Sequence, residues 1–231
     1  MRVVIFGASG MIGHGALRAC LLDDTVTEVL AVVRSPLRVD HPKLRQITHT
    51  DFTDFSPIQD QFTDLDACFY CLGVSAVGHT EDAYTRITLD YTLAAARTLY
   101  AASPAITFLY VSGEGADPTG TSRQMWARVK GRTENELGAM EMKAHMFRPG
   151  YIQPVDGAVS RTTLYRVVYR ITGVLYPILR RVVPRYVTTT RSVGRAMLAV
   201  ARADGAAPTL LRNGDINDFA LGHPPARPTA S

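Results

Sequence analysis

Cysteine is scarce: Cys20, Cys68 and Cys71 are the only three in 231 residues. An odd, small set of this kind excludes the disulfide framework of a small secreted domain. Cys68 and Cys71 make a Cys-x-x-Cys, but no second ligand pair follows, and on an extended strand the two would face opposite ways. The expectation is buried, reduced thiols, no metal and a reducing compartment. Long apolar runs are also missing. Arginines interrupt every apolar stretch before it reaches the roughly 18 to 20 residues of a spanning helix. The N-terminus offers no cationic lead into an apolar segment with a cleavage site, so a cytoplasmic location is expected. The third lack is of negative charge in one place. Between Gly157 and Ala203 there is no Asp, Glu or Lys, and there are nine arginines: Arg161, Arg166, Arg170, Arg180, Arg181, Arg185, Arg191, Arg195 and Arg202. Taking these nine from the net charge of +4 leaves the remainder of the chain at −5.

What is present is an ordinary globular balance, 46% hydrophobic and 20% charged. Short runs rich in Val, Ile, Leu and Phe alternate with helical patterns through the first two thirds of the chain. Strands are expected at 2–6, 28–34, 45–48, 66–72, 105–111 and 142–148, and helices at 11–22, 81–102 and 123–138. Strand and helix in alternation predict an α/β fold with a doubly wound parallel sheet. After residue 150 the pattern changes to arginine-punctuated amphipathic stretches at 161–172 and 173–183, stopped by Pro184. The segment 151–189 is too short for a core of its own and reads as a small helical cap on one domain spanning 1–222. A helix at 190–203, a strand at 208–212 and a disordered tail at 223–231 complete the reading, with no internal repeat.

The strongest local signal lies directly after the first strand. Gly7, Gly10 and Gly13 stand at the spacing GxxGxxG, where a tight turn, a close approach to pyrophosphate and helix–strand packing each need glycine. The following helix N-terminus supplies amides and positive potential for a phosphate. Dinucleotide binding is predicted, with Gly7, Ser9, Gly10, Met11, Ile12 and Gly13 at the phosphates. The second strand ends at Arg34, where an NAD-specific site would place an acid for the ribose hydroxyls. An arginine there favours a 2′-phosphate, with Arg38 assisting, so NADP(H) is the preferred cofactor and NAD(H) the alternative.

Several motifs together resemble an atypical short-chain dehydrogenase/reductase. They are the glycine loop, Asp51-Phe52, Cys71-Leu-Gly73, Val111-Ser112, Lys130 and Arg148-Pro-Gly150. Within that superfamily, which includes the epimerase-like proteins, Ser112-Gly-Glu-Gly-Ala-Asp117, Val129-Lys-Gly131 and the stretch from Leu210 to Asn217 are most similar to the HIV Tat-interacting-protein group of NAD(P)H-binding proteins. The resemblance implies that Asp51 and Phe52 border the adenine and that Cys71, Leu72 and Gly73 run under the pyrophosphate or nicotinamide ribose. Pro149 and Gly150 would flank the nicotinamide. It further implies that Ser112 binds a carbonyl oxygen and that Lys130 holds the ribose. The chain departs from the family at the proton donor, because the position four before Lys130 is Trp126 rather than tyrosine. An indole N–H donates a hydrogen bond but does not shuttle a proton near neutral pH. The superfamily's assisting asparagine would fall near Thr88, a second departure.

Two readings follow. One is an oxidoreductase or epimerase, acting on a small substrate, anionic or neutral, whose proton comes from Tyr84, Tyr91, Tyr151, His79 or a water at Ser112. The other is a non-catalytic NADPH-binding sensor or scaffold whose surface a partner reads. The arginine-rich cap has three open readings: a solvated face, a clamp on a phosphate or carboxylate, or a cationic border lying on an anionic membrane. Exposed apolar area there would also serve a homodimer. Nucleic acid is disfavoured, since no recognised module accompanies the charge.

Overall fold

A computed structural model describes residues 1–158, 181, 183–203 and 206–223. Its centre is β1 (Arg2–Phe6), whose Val3, Val4, Ile5 and Phe6 are all fully buried. Such a run marks a strand covered on both faces. On one side β1 pairs with β2 (Glu28–Val33), which pairs with β3 (Leu44–Thr48). On the other side follow β4 (Ala67–Tyr70), β5 (Thr107–Val111) and β6 (Lys143–Arg148). Two short strands, β7 (Tyr151–Gln153) and β8 (Val187–Thr189), pair with each other in a separate parallel ribbon. The last strand, β9 (Leu210–Arg212), joins the far edge beside β6. The seven-stranded sheet therefore has the order β3-β2-β1-β4-β5-β6-β9, with every pairing parallel. The doubly wound α/β architecture expected from the sequence is present.

Alternation along the strands feeds two cores. Val3 and Ile5 point into the layer that holds α1 (Met11–Leu21), α5 (Thr190–Arg202) and α6 (Asn213–Leu221). Val4 and Phe6 point into the opposite layer, under α3 (Tyr91–Ala102) and α4 (Met125–Gly138). There Phe6 stacks on Tyr70 at 5.3 Å and meets Phe55 edge-on at 5.4 Å. Between α1 and α5 the backbones nearly touch. A Cβ built on Gly194 would lie 2.5 Å from the Gly15 carbonyl oxygen and 3.0 Å from the Ala16 Cα.

Three expectations need correction. The helix over 81–102 runs its full length but is not α throughout: α2 (Glu81–Thr85) passes through a π-helical turn, Arg86–Asp90, before α3 begins. The strand at 66–72 stops at Tyr70, because Cys71 leaves the sheet edge after donating its amide to the Phe6 carbonyl at 3.0 Å. Within 151–189, read as a helical cap, 151–153 and 187–189 form strands instead. The helices expected at 161–172 and 173–183, and the tail beyond 223, lie outside the described residues. Helix α6 has no counterpart in the expectations. Among the described residues no helix is long and apolar enough to cross a membrane.

Candidate functional site

In an open parallel sheet the crevice opens where the strand order reverses, here between the carboxyl ends of β1 and β4. The chain leaves β1 at Gly7 with φ +77°, a left-handed conformation that favours glycine. A Cβ at Gly7 would sit 2.7 Å from the backbone of Cys71 and Leu72, and one at Gly13 would sit 2.6 Å from the Gly7 carbonyl carbon. Both glycines are therefore demanded by backbone packing. The Gly10 amide donates to the Gly7 carbonyl at 2.8 Å and the His14 amide to the Gly10 carbonyl at 2.8 Å, which closes the turn and starts α1. No side chain caps this helix, and its first turn holds no acid. The amides of Met11, Ile12 and Gly13, which have no partner within the helix, thus face the crevice with the positive end of the helix dipole.

Above the turn lies a cavity of about 180 Å³ lined by Gly7, Ser9, Gly10, Arg34, Phe52, Cys71, Leu72 and Gly73, with Val32, Val33, Val74, Ile87 and Tyr91 completing the wall. Arg34 is exposed at its rim and Phe52 is buried in its floor, 5.9 Å from the Tyr91 ring. Asp51 is not part of this lining. Its exposed carboxylate caps its own turn, accepting from the Thr53 amide at 2.9 Å and the Thr53 hydroxyl at 2.5 Å, and those bonds hold it below the usual carboxylate range. Arg38 lines a neighbouring hollow of about 550 Å³ along α1, which shares Ser9 and Gly10 with the first.

Ser112, Lys130 and Trp126 gather past the end of β5, and none of them lines the 180 Å³ cavity. The Lys130 ammonium donates to the carbonyls of Ser112 at 2.9 Å and Val111 at 3.3 Å, and lies 5.6 Å from the centre of the Tyr110 ring. Burial lowers its pKa to about 8, against the pull of the Glu134 charge. Ser112 donates its amide to the Phe147 carbonyl at 2.8 Å, and its buried hydroxyl has no partner among the described residues. Trp126 lies against the turn at Gly115. Thr88 is buried on the π-helical turn, and its carbonyl accepts from the Thr92 hydroxyl at 2.6 Å. Pro149 and Gly150 are pinned from two sides: the Pro149 carbonyl accepts from the Glu114 amide, and the Gly150 amide donates to Asn213 Oδ1, each at 3.0 Å.

Of the alternative proton donors, Tyr84 is buried and its phenol is pushed up by burial, with the Thr88 hydroxyl drawing it back. The Tyr151 hydroxyl donates to Gln153 at 2.8 Å, and His79 is exposed. Sequence reasoning missed Glu134, which holds Arg148 in a buried pair, and Asn213, which anchors Gly150. The spacing of Glu134 four residues after Lys130 was the available signal for the first.

The fold and the glycine crevice define the class: a Rossmann protein built to hold a nucleotide cofactor over the ends of β1 and β4. Residues 3–126 match the model of the NAD dependent epimerase/dehydratase family, and the chain belongs to that family. It is an atypical short-chain dehydrogenase/reductase. Protein HTATIP2 of Rattus norvegicus is 28% identical to it over 153 residues, 65% of this chain and 62% of the rat protein's length. A short-chain dehydrogenase/reductase oxidoreductase from Burkholderia thailandensis shares the fold with a TM-score of 0.67 at 18% identity, covering 93% of this chain and 92% of that one. MoeE5, solved with UDP-glucose and NAD, matches with a TM-score of 0.65 at 16% identity over 91% of this chain and 75% of its own.

Proposed function

We propose that this protein binds NADP(H) at the glycine crevice, with Gly7, Ser9, Gly10, Met11, Ile12 and Gly13 at the pyrophosphate and Arg34 at the 2′-phosphate. The observation that carries the reading is the 180 Å³ cavity, in which the glycine loop, Arg34, Phe52 and Gly73 share one wall. The residues fit the group: Gly7, Ser9 and Gly10 line the cavity with no side chain larger than that of serine, and the helix end beside it is uncapped. Asp51 contributes a rigid turn that seats Phe52, rather than a direct contact. When bound, the cofactor supplies a hydride acceptor or donor. The chain's own part is to hold it, with Cys71, Leu72 and Gly73 under its middle and Pro149 and Gly150 toward its reactive end. In this reading Lys130, whose ammonium rests on the Ser112 carbonyl, takes the ribose, and the unpartnered Ser112 hydroxyl takes a substrate oxygen.

As an enzyme the protein would be an oxidoreductase or epimerase taking a small substrate. One observation favours the second reading, a non-catalytic NADPH sensor or scaffold. By the family resemblance Trp126 takes the place of the proton donor, and Tyr84, the alternative on α2, has its phenol pushed above the usual tyrosine range by burial, which makes it a weaker acid. Titrating NADPH and NADH while following the emission of Trp126, the chain's single tryptophan, tests binding. Saturable quenching is expected, with NADPH at least tenfold tighter, about 1.4 kcal/mol, and Arg34→Ala removing that preference. A flat titration with no thermal shift refutes it. Substrate-dependent loss of NADPH absorbance would decide for the enzyme over the sensor.

A further inference from the structure

Among the described ion pairs, only Arg148–Glu134 has both side chains buried. Arg148 ends β6 and its guanidinium forks onto both carboxylate oxygens of Glu134, with Nε 2.9 and 3.2 Å from them. Removing two ions from water is costly, and a buried pair is often no more stabilising than apolar groups of the same shape. Its retention beside the site calls for another reason. Glu134 lies one turn beyond Lys130 on the same face of α4, and its charge opposes the burial that drives the lysine toward neutrality. The other groups that face Lys130 are Tyr110 on β5 and, through Tyr110, Tyr84 on α2; Arg148 on β6 reaches it through Glu134.

Each half of the pair restrains the other. Without Arg148, the buried carboxylate of Glu134 would pull on the Lys130 ammonium one turn back along α4 and draw it from the Val111 and Ser112 carbonyls. Without Glu134, an unpaired guanidinium would share the pocket with the ammonium, and the ammonium would lose its proton first. We propose that the Glu134–Arg148 pair sets both the charge and the aim of Lys130, with Glu134 a positioning residue for the cofactor's lysine. The inference deepens the NADP(H) reading and rests on it only for the purpose of that lysine.

The chain has just three lysines, Lys43, Lys130 and Lys143. Protein labelled with ¹³Cε-lysine therefore gives three signals, and the one lost in Lys130→Arg is assigned. The pH dependence of its shift is then followed with no nucleotide present, Lys43 and Lys143 reporting any global change. Glu134→Gln should lower the Lys130 midpoint by about one pH unit, and Arg148→Met should raise it by a similar amount, while Glu134→Asp keeps it near the parent value. A merely structural pair would move neither, or both alike, and that outcome overturns the proposal. If one single variant fails to fold, the other is read alone, a lowered midpoint in Glu134→Gln or a raised one in Arg148→Met supporting the proposal and an unchanged one overturning it; if both fail, the milder Arg148→Lys, which keeps the charge but loses the fork, should still raise the midpoint, and an unchanged one overturns the proposal. NADPH titrations of the same proteins separate the two readings. Opposite shifts with no nucleotide binding in any form would leave the charge-setting pair standing and remove the cofactor assignment.

Discussion

Glycine does two different jobs around the crevice, and substitution separates them. Gly7 has positive φ and would press a Cβ against the Cys71–Leu72 backbone, so Gly7→Ala should cost about 2 kcal/mol or more in urea denaturation. Gly73 has nothing within 4 Å of a built Cβ. Gly73→Ala should leave stability within about 0.5 kcal/mol of the parent yet weaken NADPH roughly tenfold, because its added methyl would meet only the bound nucleotide. An unchanged affinity would show that Gly73 does not lie under the cofactor. The glycine spacing was legible in sequence because the need for glycine is local to one turn. Asp51 was placed at the adenine by the family resemblance, and the fold shows that its carboxylate serves Thr53 instead. Glu134 escaped for the opposite reason. Its partner Arg148 comes from another element, and charge alone does not tell a buried pair from a solvated one.

Helices α1 and α5 meet through Gly15 and Gly194 with no side chain between them. Since α1 begins at the glycine turn, its depth on α5 fixes the height of that turn above the sheet. Gly194→Val must push the helices apart, because the obstructing atoms are backbone, and a loss of about 2 to 3 kcal/mol in chemical denaturation is expected. Weaker NADPH binding should accompany it. The parent affinity in a folded Gly194→Val protein would mean that the crossing does not control the crevice. Elements with a strong period were readable: all six strand candidates of the main body fall on observed strands, because each is a short apolar run between turns. The β7–β8 ribbon was not, since three-residue strands far apart in sequence leave no local pattern. Neither was the π-helical turn, whose residues keep a helical composition while the hydrogen bonding changes.

For the molecule as a whole, alkaline stability is a sum of opposed titrations. Burial raises the thiols of Cys20, Cys68 and Cys71 above 9.0 and the phenols of Tyr70, Tyr84 and Tyr110 above 10.0. The unfolded chain releases those protons first, so their contribution is complete below about pH 9 and is lost as pH rises. Lys130 has the opposite sign, lowered from 10.5 to about 8. Between those values the unfolded chain holds the extra proton, so this contribution grows with pH. The net expectation is a fall in stability above pH 9, and a steeper fall in Lys130→Met than in the parent across pH 8 to 10.5. Parallel curves for the two proteins would refute the burial assigned to Lys130. The sheet order carries a further consequence, for synthesis. Read from β1 outward, every strand of the main sheet adds to an edge that already exists when it leaves the ribosome, first β2 and β3 on one side, then β4, β5, β6 and β9 on the other. No strand must be inserted between two others. The layer around α1, however, gains α5 and α6 only from the last quarter of the chain. A nascent chain halted before Thr190 would present Leu17, Cys20 and their neighbours to water, and so should be a better client for a holding chaperone than the finished protein.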